Sequence, residues 1–208
     1  IRRSKKKIKY FQASSSEIFG SSKSYKQSEN TKFDPMSPYA VSKLFGHFIT
    51  KNYRETYKIF AVSGILFNHE SPLRSENYIT PKIIKGLIDI KNKNKKKLLL
   101  GNISVKRDWG YSKDYVKLMW KMIQAKTPKD YVIATGRSHS VRELINITSR
   151  ELGMKTKWIG KNFNLKLINK IDNSVIISID KKFFRKSEIK STRGNISKVK
   201  KELSWKPM

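Results

Sequence analysis

Residues 8–17 read IKYFQASSSE, and this stretch decides the fold together with SPYAVSK at 37–43 and IFAVSGILF at 59–67. The first and third stretches predict β-strands, because each is rich in apolar and aromatic residues and leads directly into a polar motif. Between them, Ser37 is a residue that caps helices and Pro38 suits a first helical turn. Strand, helix and strand at this spacing predict a parallel crossover unit.

In such a unit, ligands gather at the carboxyl ends of the strands. Two polar motifs fall there: SSSE at 14–17 follows the first strand, and NHE at 68–70 follows the second. The intervening helix adds Tyr39 and Lys43, which lie four residues apart and therefore share a helix face. A neighbouring cation favours the phenolate form of tyrosine, so the pair predicts a proton-transfer group near the strand ends.

The Tyr39 and Lys43 spacing is weak evidence by itself, because residues 78–82 repeat it. It gains weight from Ser15, whose hydroxyl can hydrogen-bond a reacting oxygen, and from Glu17, which can act as acid or base. A structural alternative stays open for these two residues: the serines end the strand, and Glu17 caps the following turn.

Farther along, the chain alternates predicted helices and strands. Helices are expected at 79–90, 114–125, 141–152 and 196–203, and strands at 98–100, 131–134 and 175–179. The helix at 114–125 carries Val116, Met119, Trp120 and Ile123 at helical spacing. This alternation indicates an α/β fold.

Composition argues against several classes of function. The 208 residues hold 46 Lys and Arg against 16 Asp and Glu, a net charge of +30, which raises the possibility of nucleic-acid binding. The cations are mostly lysines spread along the chain, however, whereas base readout depends chiefly on arginine. We therefore expect solvated basic faces and no nucleic-acid partner.

The chain has no cysteine, which excludes disulfides and thiolate metal sites, and we predict no metal. No stretch reaches the roughly eighteen apolar residues of a membrane span, so no membrane partner is expected. The basic start of the chain lacks the apolar part of a secretory signal. These features predict a cytoplasmic protein.

Two more motifs, NHESPLR at 68–74 and KRDWG at 106–110, complete a set that resembles the GDP-mannose 4,6-dehydratase family of extended short-chain dehydrogenases/reductases. The resemblance covers nearly the whole chain. It implies the C-terminal part of a Rossmann-like parallel sheet with a smaller α/β substrate-binding domain. The expected cofactor domain comprises 1–67 and 111–136, and the interleaved substrate-binding domain comprises 68–110 and 137–208.

The resemblance also implies roles for particular residues and NADP as the cofactor. The catalytic set would be Ser15, Glu17, Tyr39 and Lys43. The cofactor contacts would be Tyr39, Lys43, His69 and Arg74, and the sugar-nucleotide contacts would be Asn68, Lys82, Arg107, Arg185 and Glu188. Considered without the resemblance, His69 fits a loop-stabilising histidine equally well, and the four charged sugar-nucleotide residues fit surface charges.

The activity implied is conversion of GDP-mannose to GDP-4-keto-6-deoxy-mannose by C4 oxidation, loss of water across C5 and C6, and hydride return to C6. Glu17 favours dehydration, since a 4-epimerase needs no carboxylate there. Ser16 favours GDP-mannose, since dTDP-glucose 4,6-dehydratases typically have Asp before the Glu. Another nucleotide-sugar dehydratase or epimerase remains the alternative.

The chain departs from the family pattern in several places. Ser15 stands where Thr is usual, Lys186 where Pro is usual and Asn195 where Asp is usual. The glycine-rich turn that holds the cofactor pyrophosphate is not among these residues, so we expect a fragment that lacks the N-terminal third of the family pattern. We expect this fragment to be inactive unless a companion chain supplies that third. Members of the family are usually homo-oligomers.

Overall fold

The structure is a computed structural model that describes residues 1–4, 6–184 and 188–208. It divides into two compact units. Unit 1 comprises Ile1–Ser71, Arg107–Ser138 and Ile189–Met208, and unit 2 comprises Pro72–Lys106 and His139–Glu188. Residues 189–208 belong to unit 1, because Val199 and Trp205 are buried in the unit 1 core. The sequence instead places them with residues 137–188 in the substrate-binding domain. The functional labels of the two domains stay predictions.

Within the described residues, five α-helices and eleven strands follow one another. The helices are α1 (Pro38–Tyr57), α2 (Ile79–Lys91), α3 (Ser112–Gln124), α4 (Val141–Glu151) and α5 (Ser197–Leu203). The strands are β1 (Tyr10–Ser15), β2 (Ala61–Leu66), β3 (Asn68–Glu70), β4 (Leu98–Leu100), β5 (Lys106–Arg107), β6 (Trp109–Tyr111), β7 (Tyr131–Ile133), β8 (His139–Ser140), β9 (Thr156–Ile159), β10 (Lys166–Asn169) and β11 (Val175–Ile179). Each predicted helix and strand is confirmed. Strands β9 and β10 are not indicated by the sequence, because TKWI and KLIN are short and mix lysine with apolar residues.

The main sheet of unit 1 confirms the predicted parallel crossover. Its order is β1, β2, β7, and both pairings are parallel, with Ser15 opposite Leu66 and Leu66 opposite Ile133. The buried residues of β2 point to both faces of the sheet, as an uninterrupted apolar run predicts. Ser37 caps α1 by accepting a hydrogen bond from the Ala40 N–H at 3.1 Å.

The core of unit 1 draws on α3 and α5 as well as the sheet. Helix α3 buries Tyr115, Leu118 and Met122, which recur at helical spacing. Of the four residues noted in the sequence, Met119 and Ile123 pack against this core, whereas Val116 is 60% exposed and Trp120 is 66% exposed. The helix is therefore correctly placed along the chain, but the centre of its buried face lies about one residue away from the predicted one.

A partly buried ion pair joins the C-terminal half of α1 to the sheet. The Arg54 guanidinium donates to both oxygens of Asp130 at 2.7 and 2.8 Å and to the Ala61 carbonyl at 3.0 Å. Asp130 also accepts the Ser63 N–H at 3.1 Å. Burial raises the pKa of Asp130, but the hydrogen bond and charge of Arg54 outweigh it and hold that pKa below its ordinary value.

His47 lies beside this ion pair and is only 4% exposed. Its ring packs edge-on against Phe33 at 5.2 Å and Phe48 at 5.8 Å between centroids. Its Nδ1 has no hydrogen-bond partner within the described ranges. Burial lowers the pKa of His47 below 6.5, with Asp130 opposing and Arg54 assisting the shift.

Unit 2 is built on a second sheet of order β4, β11, β10, β9, in which β11 runs parallel to β4 and antiparallel to β10. Helices α2 and α4 pack against each other. Helix α4 begins at the predicted residue, because the Ser140 hydroxyl and the Glu143 carboxylate form a capping box. It ends before Gly153, whose φ of +67° suits glycine. No helix in the described part of the chain is both long and apolar enough to cross a membrane.

We predict that His47 makes the stability of the chain fall in mild acid. Since its pKa is lower in the folded state, the unfolded state binds protons first, so stability is complete above pH 6.5 and declines below it. Urea unfolding at about pH 8 and about pH 5.5 should show a smaller loss in His47→Gln than in the original chain. His139→Gln, at a 51% exposed side chain, is the control and should keep the original loss. An equal loss in His47→Gln would contradict the assignment.

Candidate active site

The end of β1 forms the first part of the site. Ser15 is 8% exposed and begins a 3₁₀ helix at Ser16–Phe19, which packs against α1. Its hydroxyl oxygen accepts the Glu17 N–H at 3.2 Å, so the hydroxyl proton is the part of the group that can donate elsewhere. Ser15 thus ends β1, as the structural alternative from the sequence suggested, and caps the following turn, while its hydroxyl proton remains available for donation.

Helix α1 brings Tyr39 and Lys43 to the same strand end. The Lys43 ammonium donates to the carbonyl of Ala13, two residues before Ser15, at 3.0 Å. The same nitrogen lies 5.7 Å from the centroid of the Tyr39 ring, within cation–π range. Tyr39 is 54% exposed, so its phenol is open to a ligand. The structure thus places the Lys43 ammonium near the Tyr39 ring and on the strand that ends at Ser15, and the catalytic roles of these residues stay predictions.

The repeated spacing at Tyr78 and Lys82 makes different contacts. The Arg74 guanidinium stacks 3.6 Å from the centroid of the Tyr78 ring. The Lys82 ammonium lies 4.6 Å from the centroid of the Phe183 ring. These residues belong to unit 2, and the pair has no serine-bearing strand end comparable to that of β1 within that unit's described residues. Spacing alone could not separate the two pairs, whereas their surroundings do.

Strand β3 places Asn68 and His69 directly after β2, at the carboxyl edge that also ends β1. It pairs in parallel with β6, with Asn68 opposite Trp109 and His69 opposite Gly110. The His69 Nδ1 lies 3.0 Å from the Phe67 carbonyl oxygen. A carbonyl only accepts, so Nδ1 carries the proton and Nε2 keeps its lone pair when the ring is neutral.

The other residues predicted from the resemblance are distributed over both units. Arg107 lies in unit 1 and donates to the Ile189 carbonyl at 2.7 Å. Arg74, Lys82 and Glu188 lie in unit 2. Arg185 lies outside the described residues. The roles of these residues as cofactor or substrate contacts stay predictions.

Asp108 is an important residue that sequence reasoning missed. Its carboxylate is fully buried and accepts hydrogen bonds from the Thr135 N–H and hydroxyl at 2.8 and 2.6 Å, the Gly136 N–H at 2.9 Å and the Gly194 N–H at 3.1 Å. It thereby ties the segment after β7 and the C-terminal segment to the turn before β6. Its position inside the KRDWG motif was the available signal.

The described residues suit a nicotinamide nucleotide better than a metal. Lys43 carries three N–H donors and spends one on Ala13, which leaves two for ribose hydroxyls. Across 1–4, 6–184 and 188–208, no three His, Asp or Glu side chains group closely enough to hold a metal ion. Burial raises the pKa of Tyr115, also in unit 1, far above its ordinary value, so Tyr115 stays a neutral phenol.

Comparison with known proteins gives one family. The model of the family described as GDP-mannose 4,6 dehydratase matches residues 1–208. The GDP-mannose 4,6-dehydratase of Vibrio cholerae serotype O1 is 44% identical over 212 residues, which cover 97% of this chain and 57% of that protein. The human GDP-mannose 4,6 dehydratase is 44% identical over 200 residues, which cover 96% of this chain and 54% of that protein. The chain thus spans little more than half the length of these relatives.

Solved structures agree on the fold. The dTDP-glucose 4,6-dehydratase of Bacillus anthracis in complex with NAD has a TM-score of 0.75 at 22% identity, over 96% of this chain and 57% of that one. RMD from Pseudomonas aeruginosa complexed with NADPH has a TM-score of 0.77 at 19% identity, over 95% and 60% respectively. At these identities the likeness concerns the fold alone, and it is that of Rossmann-like dehydratases and epimerases.

We predict that Asp108→Asn lowers the free energy of unfolding by about 2 kcal/mol or more, because the amide nitrogen would face backbone N–H donors and leave at least one unpaired. Urea unfolding measures the loss. Asp172→Asn is the matched control, since this exposed carboxylate accepts hydrogen bonds from Ser174 in its own turn, and it should cost clearly less than Asp108→Asn. Equal losses in the two variants would refute the structural role of Asp108.

Proposed function

Because this chain belongs to the GDP-mannose 4,6-dehydratase family, we propose that it carries the catalytic residues of an enzyme that converts GDP-mannose to GDP-4-keto-6-deoxy-mannose. The observation that supports this most directly is the bond from Lys43 to Ala13 at 3.0 Å, which holds the Tyr39 and Lys43 face of α1 against the strand end bearing Ser15 and Glu17.

The cofactor is proposed to be NADP, for which Tyr39, Lys43, His69 and Arg74 are the expected contacts. When bound, NADP would supply the hydride acceptor that makes oxidation at C4 possible and gives the hydride back at C6. The chain's own residues would manage the protons and the orientation. Solved proteins of this fold carry either NAD or NADPH, which supports a nicotinamide cofactor for this chain.

Proton transfer is assigned to three side chains. Tyr39 takes the proton of the sugar 4-hydroxyl while Ser15 donates a hydrogen bond to that oxygen. Glu17 removes the C5 proton, which the new 4-keto group acidifies, and gives a proton to the departing 6-hydroxyl, which leaves as water. C5 later regains a proton, so the sum of the steps is the loss of one water and no net oxidation.

The alternatives differ at Glu17 and Ser16. A 4-epimerase on the same fold would use a serine, tyrosine and lysine but would have no task for Glu17, because it eliminates nothing. A dTDP-glucose 4,6-dehydratase typically has a second carboxylate where this chain has Ser16. GDP-mannose is therefore the substrate proposed, with Asn68, Lys82, Arg107, Arg185 and Glu188 as its expected contacts.

The test is turnover of GDP-mannose with NADP by the 208-residue chain, alone and co-expressed with the part of the Vibrio cholerae relative that it does not match. We expect product in the second arm, in which the part of the relative that this chain does not match is also present. In that arm, Tyr39→Phe should abolish C4 oxidation. Glu17→Gln should still oxidise C4, visible as reduced nicotinamide in a single turnover, but form product about 10²–10⁴-fold more slowly.

Tyr57→Phe, at an exposed tyrosine near the end of α1, is the matched control and should leave the rate unchanged. Failure of both arms to form product would reject the proposed activity. Product formation by Glu17→Gln at the original rate would reject dehydration through Glu17 and favour an epimerase. Tight binding to DNA that displaces GDP-mannose would favour the nucleic-acid alternative.

We also infer that the chain forms homo-oligomers through α1. One face of this helix exposes Val41, Phe45, Phe48, Ile49 and Tyr53, with exposed fractions between 39% and 68%. These positions recur at helical spacing and form a continuous apolar stripe, which monomeric proteins rarely expose to water. A second copy offering the same stripe is the occupant we propose.

Light scattering with size exclusion should show a dimer or larger species for the original chain and a monomer for Phe45→Lys, because a charge at the centre of an apolar contact remains unpaired. Trp120→Lys, at an equally exposed aromatic residue on α3, is the control and should keep the original mass. A monomeric original chain would reject the inference.

A further inference from the structure

The segment that carries Asn68 and His69 has little support of its own. Strand β3 has three residues and pairs only with β6, also of three residues, in a two-stranded sheet of the described chain. A two-stranded sheet of this size is not stable alone in water and needs packing against another element. The Phe67 carbonyl, 3.0 Å from Nδ1, can set the tautomer of His69 only while the ring keeps its orientation, so a neighbouring element of unit 1 must hold the ring in place.

The geometry points to the Tyr115 ring as that support. We propose that Tyr115, acting together with Gly110, is a positioning residue that holds His69 in the Nδ1–H form, with Nε2 presented as an acceptor. The His69 and Tyr115 rings lie 5.2 Å apart between centroids at 42°. The inference deepens the proposed function, since it rests on His69 serving as a ligand contact.

Gly110 makes the close approach of Tyr115 possible. It stands opposite His69 in the β3 and β6 pairing. A Cβ added to Gly110 would lie 2.4–2.7 Å from Cε1, Cζ and the hydroxyl oxygen of Tyr115, closer than atoms can approach. One ring thus contacts both members of the pair, and any larger residue at 110 must displace the ring or the strand.

Tyr115 is itself held rigidly. It is fully buried on α3 and packs edge-on against Trp205 at 6.4 Å between centroids. Its hydroxyl is buried and has no hydrogen-bond partner among the described residues. A buried hydroxyl without a partner costs free energy and makes no bond that could hold a neighbour. The positioning of His69 must therefore come from the ring of Tyr115.

Because only the ring of Tyr115 contacts His69, substitutions can distinguish positioning of His69 from a general contribution to core packing. Tyr115→Phe keeps the ring and removes only the unpaired hydroxyl, so it should preserve His69 and leave stability equal or higher. Tyr115→Leu removes the flat surface beside the imidazole. Gly110→Ala pushes the ring and the strand apart while every original side chain is kept.

The test is the ring ¹⁵N–¹H correlation spectrum of the whole chain labelled at histidine, recorded at about pH 8.5, where ordinary imidazoles are neutral. His69→Gln identifies the signal among the three histidines. In the original chain and in Tyr115→Phe, we expect His69 to show a protonated Nδ1 and a bare Nε2. In Tyr115→Leu and Gly110→Ala, we expect a mixture of both tautomers.

The signals of His47 and His139 serve as internal controls. His47 is buried in unit 1 and reports whether that unit is folded, so an unchanged His47 signal shows that a shift at His69 is local. If Tyr115→Leu does not fold, Gly110→Ala and Tyr115→Phe still decide the question. A tautomeric mixture in the original chain, or an unchanged His69 in Gly110→Ala, would overturn the proposal.

The proposed cofactor role of His69 is tested separately with the same variants. NADP titration of the chain co-expressed with the complementary part of the Vibrio relative should weaken in His69→Gln and in Gly110→Ala but not in Tyr115→Phe. A single His69 tautomer that responds to Gly110→Ala supports the positioning role even if NADP binds His69→Gln normally. That last result would refute only the cofactor role of His69.

Discussion

The parallel pairing of β1 with β2 is the constraint on which the candidate site depends. Because the two strands run in the same direction, the serine turn after β1 and the Asn68 and His69 segment after β2 must end at one edge of the sheet. The connecting helix α1 must then cross back over the sheet. Lys43 holds the beginning of that helix to Ala13, and Arg54 holds its end to Asp130, so Tyr39 has few alternative positions.

Buried carboxylates provide much of the specific organisation in a chain that is overwhelmingly basic. Only 16 residues are acidic, yet the buried Asp108 and the partly buried Asp130 receive several hydrogen bonds each. A buried carboxylate is tolerated only when donors surround it, and each donor is then fixed in place. Most of the 46 basic side chains have no such role and give the surface its charge, which requires no nucleic-acid partner to explain it.

The division of labour between residues also follows from burial. Tyr39 is exposed and lies beside an ammonium, whereas Tyr115 is enclosed and lies near two carboxylates, which keeps its proton on. The phenol of Tyr39 is therefore accessible to a ligand, whereas the ring of Tyr115 lies against a neighbouring ring. The same residue type serves chemistry or support according to its access to water.

The sequence by itself determined the crossover unit, the start of α1 at Ser37 and the start of α4 at Ser140, because local caps, apolar runs and parallel topology are written in short stretches. Only the tertiary structure decided that α3 buries Tyr115 in preference to Trp120, that Asp108 binds N–H groups from two distant segments, that residues 189–208 join unit 1, and that Gly110 must lack a side chain. These features depend on contacts between residues far apart in the chain, and no local pattern records which distant partner a side chain will meet.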